Sequence, residues 1–175
     1  MNLKILIWTT EKDFWMAEDF DAIKQTVGRG KGIGTVTIDI RFFTASKIGT
    51  TTRKDKVVRP DWKWFKETFT AHADGYNAVC FHFTSKEKKL WGIKGISGVY
   101  NNDPDRIFEF VVIADKEKMA KKYKRRTDFW RIFVHELGHG FMRVTGKKSN
   151  LVHVYDYKKH NLDAFYRKEV DVRKA

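Results

Sequence analysis

Short apolar runs separated by amphipathic stretches occupy the first two thirds of the chain. Leu3 to Trp8, Ala78 to Phe83 and Phe108 to Ile113 are nearly continuous apolar runs, as in strands buried on both faces. Val36 to Phe43 alternates apolar and polar residues over most of its length and predicts another strand. The glycine-interrupted stretch from Leu90 to Tyr100 predicts a weaker strand at a sheet edge.

Two segments between these strands predict helices. Apolar residues recur at helical spacing between Glu11 and Val27. A polar loop is predicted up to Arg59, after which Pro60 and Asp61 open a second helix. The aromatic residues on one side of that helix are Trp62, Phe65 and Phe69.

A third, long helix follows the last strong strand. Thr127 is a good N-cap, Asp128 suits the positive end of the helix dipole, and Gly146 is a good stop. The order of the elements is strand, helix, strand, helix, strand, weak strand, strand, helix and a mixed tail. This order predicts an α/β or α+β layered domain.

Length and composition favour one folded domain over residues 1–175. The chain is 42% hydrophobic and 15% aromatic, which exceeds what a disordered chain carries. Its single cysteine, Cys80, lies in an apolar run and is expected to be buried. The apolar start is too short for a signal peptide or a membrane span, so the predicted location is the cytoplasm, with release or virion association left open.

The formal net charge is +13, from 35 Lys and Arg against 22 Asp and Glu. Such a charge would steer the protein toward nucleic acid or another polyanion. The basic residues are scattered and form no recognised nucleic-acid-binding motif, so a solvated basic surface is the simpler interpretation. Polyanion binding stays open, and the sequence predicts no oligomeric state.

The motif that carries chemistry lies inside the third helix. His135 and His139 are four residues apart, so both imidazoles project from one helical face and can share a metal ion. Glu136 is rotated about a third of a turn from His135, which lets its carboxylate reach a metal-activated water without acting as a ligand. This pattern predicts a zinc site with Glu136 as general base for hydrolysis of a peptide bond. Two core histidines are the non-functional alternative.

The residues around the motif give this helix two sides. The apolar side, which can pack against a sheet, carries Phe129, Phe133, Val134, Leu137, Phe141 and Val144. The other, cleft-facing side carries Ile132, His135, His139 and Met142. Gly138 and Gly140 are poor helix formers, which predicts close packing near the metal site rather than helix stability.

A third protein ligand should lie beyond Gly146, where the chain can turn back toward the helix. His153 is the first candidate, because neutral imidazole is a preferred zinc ligand and this residue sits in an otherwise apolar run. With His153 as ligand, Asp156 would orient another ligand, and Tyr155 or Tyr157 would donate a hydrogen bond to the developing oxyanion.

The stretch from Ile132 to Phe141 resembles the catalytic helix of the zincin metallopeptidases. The resemblance implies a zincin-like α+β fold: a mixed, twisted sheet packed on helices, with the active-site helix after the last sheet strand. It also implies that Ile96 to Tyr100 is an antiparallel edge strand that holds the substrate backbone. Other zincins place an aspartate or a downstream helical glutamate as third ligand, which would make Asp156 or Glu169 the alternatives to His153.

The match covers only the stretch from Ile132 to about Tyr157, and it departs from the metzincin branch. That branch has a glycine and a third histidine where this chain has Met142 and Thr145. Small metallopeptidases of bacteria and their phages have a similar short layout. The predicted activity is a zinc endopeptidase acting on protein or peptide. The alternatives are a zinc amidase acting on cell-wall peptide and a basic nucleic-acid-associated protein with a non-catalytic metal site.

Overall fold

The computed structural model describes most of the chain. The described residues are 1–10, 14–43, 50–52, 58–61, 63–64, 67–68, 71, 75–85, 96–99, 109–116 and 129–174. The strands are β1 (Leu3–Thr9), β2 (Val36–Phe42), β3 (Thr50–Thr52), β4 (Val58–Pro60), β5 (Ala78–Ser85), β6 (Ile96–Val99) and β7 (Glu109–Lys116). The helices are α1 (Ala17–Val27), α2 (Phe129–Val144), α3 (Leu151–His153), which continues into a π-helical turn (Val154–Lys158), and α4 (Leu162–Glu169).

Five strands form one mixed sheet in the order β2-β1-β5-β7-β6. The first four are mutually parallel, and β6 pairs antiparallel with β7, with Ile96 opposite Val112. Strand β1 lies between β2 and β5 and is buried along nearly its whole length. The predicted strands and the antiparallel edge strand are confirmed, and the mixed α+β class with them.

The prediction of a polar loop up to Arg59 is wrong. Thr50–Thr52 and Val58–Pro60 instead form a two-stranded antiparallel pair, in which Thr50 lies opposite Pro60. Consecutive β-branched threonines favour extended backbone, and proline is accepted at the end of a strand. Pro60 therefore ends a strand rather than opening a helix.

Asp61 begins the helical residues that follow this strand pair. Its Oδ1 accepts a hydrogen bond from the backbone N–H of Lys63 at 3.0 Å, as a helix cap does. Residues 63, 64, 67, 68 and 71 are helical. The aromatic residues predicted to line this helix, Trp62, Phe65 and Phe69, lie outside the described residues.

Helix α1 begins later than predicted, at Ala17 rather than Glu11. The backbone N–H of Met16 donates to Asp19 Oδ2 at 2.9 Å, which fixes the start of the helix. Trp15 is buried in the core before the helix begins, and its indole N–H donates to His82 Nδ1 at 3.2 Å. The burial of this tryptophan and the hydrogen bond of its N–H outweigh the preference for an earlier helix start that the spacing of apolar residues predicts.

Helix α2 follows β7, the last strand of the sheet along the chain, and packs against β6, β7 and α1. Cys80 is buried in the sheet, as expected. Among the described residues, no helix combines the length and the apolar character needed to cross a bilayer. The sheet and α2 thus share one core, and the carboxyl-terminal helices α3 and α4 also pack against α2.

Candidate metal centre

The predicted His-Glu-Leu-Gly-His motif lies in the middle of α2. The helix ends as predicted, because Gly146 adopts a left-handed φ of 69° and the Lys147 N–H donates to the Met142 carbonyl at 2.8 Å. This is the helix-ending turn that glycine favours. The predicted N-cap, Thr127, and the first-turn Asp128 lie outside the described residues.

One predicted feature of α2 is wrong. Met142 was expected to share the cleft side with the histidines, but it is completely buried among core residues. The reason lies in the chain after Gly146, which folds back so that α3 and α4 pack against this side of the helix. The apolar residues Phe133, Leu137 and Phe141 are buried as predicted.

His135, His139 and His153 come together in the structure. Their ligand nitrogens all lie within 4.8 Å of one another. The ring centroids of His135 and His139 are 5.0 Å apart, and those of His139 and His153 are 4.7 Å apart. His153, which is 14 residues beyond His139 along the chain, is therefore brought to the two helical histidines by the fold, as the sequence predicts for a third ligand.

Two of the three imidazoles are fixed through Nδ1. His135 Nδ1 lies 2.7 Å from Asp156 Oδ2, and His139 Nδ1 lies 2.8 Å from the Ser149 carbonyl oxygen. A carbonyl and an ionised carboxylate only accept hydrogen bonds, so each Nδ1 carries the proton and donates it. Each Nε2 is then the unprotonated nitrogen that can bind a metal.

Asp156 is held between two donors. Besides His135 it accepts a hydrogen bond from Arg131, whose guanidinium lies 2.8 Å from Oδ1. Burial alone would raise the pKa of Asp156, but the hydrogen bonds from His135 and Arg131 outweigh burial and hold this pKa below its ordinary value. Asp156 is therefore ionised at neutral pH and orients His135, which is the role expected of it if His153 is the ligand.

The π-helical turn places Tyr157 over the same cluster. The Tyr157 ring stacks at 5.1 Å from both His135 and His153. It stays 63% exposed, so its hydroxyl group is accessible at the rim of the cluster. Burial, and after it the charges of Asp156 and Glu136, raise the pKa of Tyr157, so it is a neutral donor at neutral pH.

The other predicted tyrosine lies elsewhere. Tyr155 is buried against Phe165, and its hydroxyl donates to Glu169 Oε1 at 2.7 Å. Glu169 also lies 3.2 Å from the Lys147 ammonium. The structure therefore brings Tyr157 to the histidines but not Tyr155, and it engages Glu169 in a separate network.

The pKa values favour neutral imidazoles at His139 and His153 and a weakly acidic Glu136. Burial lowers the pKa of His139 to about 4, and burial followed by the charge of His135 lowers that of His153. Burial raises the pKa of Glu136, although the charges of His135 and Arg143 partly oppose this rise. A neutral imidazole is a ligand, and a carboxylate with a raised pKa is a stronger base.

The motif contains a poor helix former, Gly138, and the packing around this residue explains why. A methyl group added there would lie 2.9 Å from a ring carbon of Phe165 and 3.0 Å from a side-chain carbon of Val152. Val152 precedes His153, so the absence of a side chain at Gly138 lets the third histidine approach α2. The close packing predicted from this glycine is confirmed.

Sequence reasoning missed Arg131 and Ser149. Arg131 lies one helical turn before His135 on the same side of α2, but its partner Asp156 belongs to another element, so spacing on one helix did not reveal the pair. Ser149 contacts His139 Nδ1 through its backbone carbonyl at 2.8 Å and through its hydroxyl oxygen at 3.0 Å, and its position ten residues beyond His139 gave no spacing signal for either contact. Comparisons of the chain with models of protein families, with curated proteins and with solved structures find no match.

Proposed function

We propose that this protein is a zinc-dependent endopeptidase with a zincin-like arrangement of sheet and active-site helix. His135, His139 and His153 would hold one Zn²⁺, and Glu136 would act as general base. The observation that carries the proposal is the convergence of three imidazoles, two of them held through Nδ1, beside a half-buried glutamate.

The three residues fit zinc by number and type of donor. Catalytic zinc takes three protein ligands and keeps a fourth position open, and three imidazoles are a donor set that suits it. Tetrahedral zinc with bonds of about 2.0–2.1 Å needs nitrogens about 3.3 Å apart. The separations here reach at most 4.8 Å, a difference that small side-chain rotations close.

Zinc, when bound, supplies a Lewis acid that polarises the substrate carbonyl and lowers the pKa of a water molecule to about 7. Glu136 takes a proton from the attacking water and passes it to the leaving amine. Tyr157 donates its phenolic hydrogen to the oxygen on which negative charge develops. Asp156 and the Ser149 carbonyl hold two of the ligands in orientation throughout.

A peptide substrate is supported by the position of β6. Among the described strands, β6 has a sheet partner on one side only, β7, and it packs against α2. An extended peptide can add to such an edge through main-chain hydrogen bonds, and this would present its backbone to α2. Neither a cell-wall amide nor a nucleic acid has a comparable feature in the described residues to favour it.

The test is hydrolysis of an unfolded protein substrate by the purified protein, with and without a chelator. We expect chelator-sensitive cleavage that zinc restores. Glu136→Gln should keep its zinc and lose cleavage, since this residue is assigned as base rather than ligand. Glu18→Gln, an exposed position on α1, is the matched control and should cleave like the wild type. Cleavage that persists in Glu136→Gln would refute the assignment.

A further inference from the structure

The five-stranded sheet has two edges, β6 and β2, and the proposed peptide substrate lies along β6. Among the described strands, β2 pairs with β1 only, and the pairing runs without a bulge through all seven residues from Val36 to Phe42. Natural proteins protect a sheet edge by keeping it short or by placing proline, lysine or a bulge there. Strand β2 is long and contains neither proline nor lysine. Another strand can therefore be added along it.

Two hydrogen bonds show which backbone groups of β2 face the open edge. The Leu3 N–H donates to the Thr35 carbonyl at 2.8 Å. At the other end, the Phe43 N–H donates to the Thr9 carbonyl at 3.0 Å. Backbone groups alternate in direction along a strand, so the odd-numbered residues of β2 bond to β1. The even-numbered residues, among them Ile40, direct their N–H and C=O groups away from β1.

The side chains of β2 give the edge a balanced pair of charges. Ile38 and Ile40 are half-buried and pack against the hydrophobic core. Asp39 and Arg41 are exposed on the other face. Asp39 Oδ2 accepts a hydrogen bond from the Tyr76 hydroxyl at 2.6 Å, and the Arg41 guanidinium lies 5.6 Å from the centroid of the Tyr76 ring. These contacts hold both charges in place, and a carboxylate with two oxygens and a guanidinium with five N–H donors each keep capacity for a further partner.

These charges select one register for an identical strand placed antiparallel beside β2. The outward backbone groups require that even-numbered residues lie opposite even-numbered residues. The registers that pair most of the strand are centred on residue 39, 40 or 41. Centring on Asp39 or on Arg41 places two like charges directly opposite each other, which is destabilising. Centring on Ile40 instead places Asp39 of each copy opposite Arg41 of the other, in a closely spaced pair with Cα atoms about 4.5 Å apart.

We propose that the edge of β2 binds a second copy of this chain in this antiparallel register, so that two five-stranded sheets join into one of ten strands. The same surface takes part on both copies, so the contact closes as a twofold dimer. Ile38 of one copy then lies opposite Phe42 of the other, a side chain that is 47% exposed in the single chain. The inference is independent of the proposed peptidase function, and it leaves β6, at the opposite edge of the sheet, available to a peptide.

The experiment is sedimentation velocity of the full chain from about 1 to 500 μM at 0.15 M salt, where charges more than about 8 Å apart are screened. A contact made by one strand from each copy is small, so we expect a monomer–dimer equilibrium with a Kd of about 10–100 μM. Asp39→Arg and Arg41→Asp should each weaken association at least about tenfold, because each turns two attractive cross-strand pairs into two repulsive ones. The double variant, which carries both changes, should associate like the wild type because the pairs form again in reverse.

Two control variants separate this contact from other effects of the substitutions. Asp21→Arg, at an exposed position on α1, changes the net charge as much as Asp39→Arg does and should leave association unchanged. Tyr76→Phe removes the hydroxyl that bonds to Asp39 and should also leave it unchanged. Circular dichroism establishes that each variant is folded.

Hydrogen exchange of the wild type gives a second readout that needs no substitution. The backbone amides of Ile38 and Ile40 should exchange more slowly as the protein concentration rises, because they become bonded in the dimer. A chain that stays monomeric at every concentration overturns the proposal. So does a dimer that the single charge variants do not weaken, or one that the double variant does not restore. Slow exchange of these two amides that is independent of concentration would show that the edge is covered within one copy, and this also overturns it.

Discussion

Variants that each lack one candidate ligand should lose zinc affinity to different degrees, and these losses rank the three residues by their contribution to zinc binding. The structure gives three distinct environments for the comparison. His153 offers a nitrogen to the cluster, Asp156 holds His135 through a 2.7 Å hydrogen bond, and Glu169 bonds to Tyr155 and Lys147 instead. His153→Ala should therefore weaken zinc binding most, Asp156→Ala less and Glu169→Ala least.

The magnitudes follow from general energetics. A structural zinc site of four ligands contributes about 10–16 kcal/mol, which is roughly 2.5–4 kcal/mol per ligand, or about 10²- to 10³-fold in affinity. Loss of a residue that orients a ligand costs about 10- to 100-fold. Asp156→Ala also leaves the half-buried Arg131 without its partner, so Asp156→Asn, which keeps one acceptor, should fall between Asp156→Ala and the wild type.

The assay is competitive zinc titration against a chromogenic chelator at fixed pH, with circular dichroism to establish that each variant is folded. Glu169→Ala serves as the control and should stay within about threefold of the wild type, because its carboxylate lies in another network. An unchanged affinity in His153→Ala would refute the ligand assignment. If Asp156→Ala then lost zinc completely, Asp156 itself would be the third ligand.

Three further predictions concern packing, acid stability and catalysis. Gly138→Ala should destabilise the protein by about 1–2 kcal/mol in urea unfolding, since a methyl group 2.9 Å from a neighbouring ring outweighs the gain in helix propensity; Gly34→Ala, with only ordinary contacts, should be near neutral, and a stabilised Gly138→Ala would contradict this packing. Burial lowers the pKa of His82 to about 3, so below about pH 6.5 the unfolded state binds a proton that the folded state does not, and stability should fall as the pH drops from 6.5 toward 3. His82→Gln should flatten that slope in unfolding measurements, and an unchanged slope would show that His82 is not the group responsible. Tyr157→Phe should keep zinc and lose about 10- to 100-fold in kcat, whereas Tyr155→Phe should not, and equal losses would remove the distinction between the two tyrosines.

The sheet and α2 were predictable because their residues repeat with the period of the element. Continuous apolar runs mark β1, β5 and β7, and glycine marks the end of α2. The hairpin of β3 and β4 was missed because its strands are three residues long, too short to show a period. The start of α1 was misplaced because Trp15 is buried by contacts with residues distant in sequence, which spacing does not report.

The candidate site was predictable in its first two ligands and less so in what surrounds them. His135 and His139 share a helix, so their separation in space follows from their separation in sequence. His153 could be predicted only from ligand chemistry, because the sequence after Gly146 does not show which path the chain takes. Tyr155 and Tyr157 were both candidates for the site, because residues two apart point to the same side of an extended chain. In a helical turn residues two apart point to different sides, so only Tyr157 reaches His153.

X-ray absorption at the zinc edge of the purified protein is the most direct test of the central claim that three histidines form a zinc centre. We expect about one zinc per chain, with three imidazole nitrogens at about 2.0–2.1 Å and one further light ligand. His153→Ala should reduce the imidazole shell to two. A protein that takes up no zinc, or a zinc shell with two imidazoles in the wild type, would contradict it.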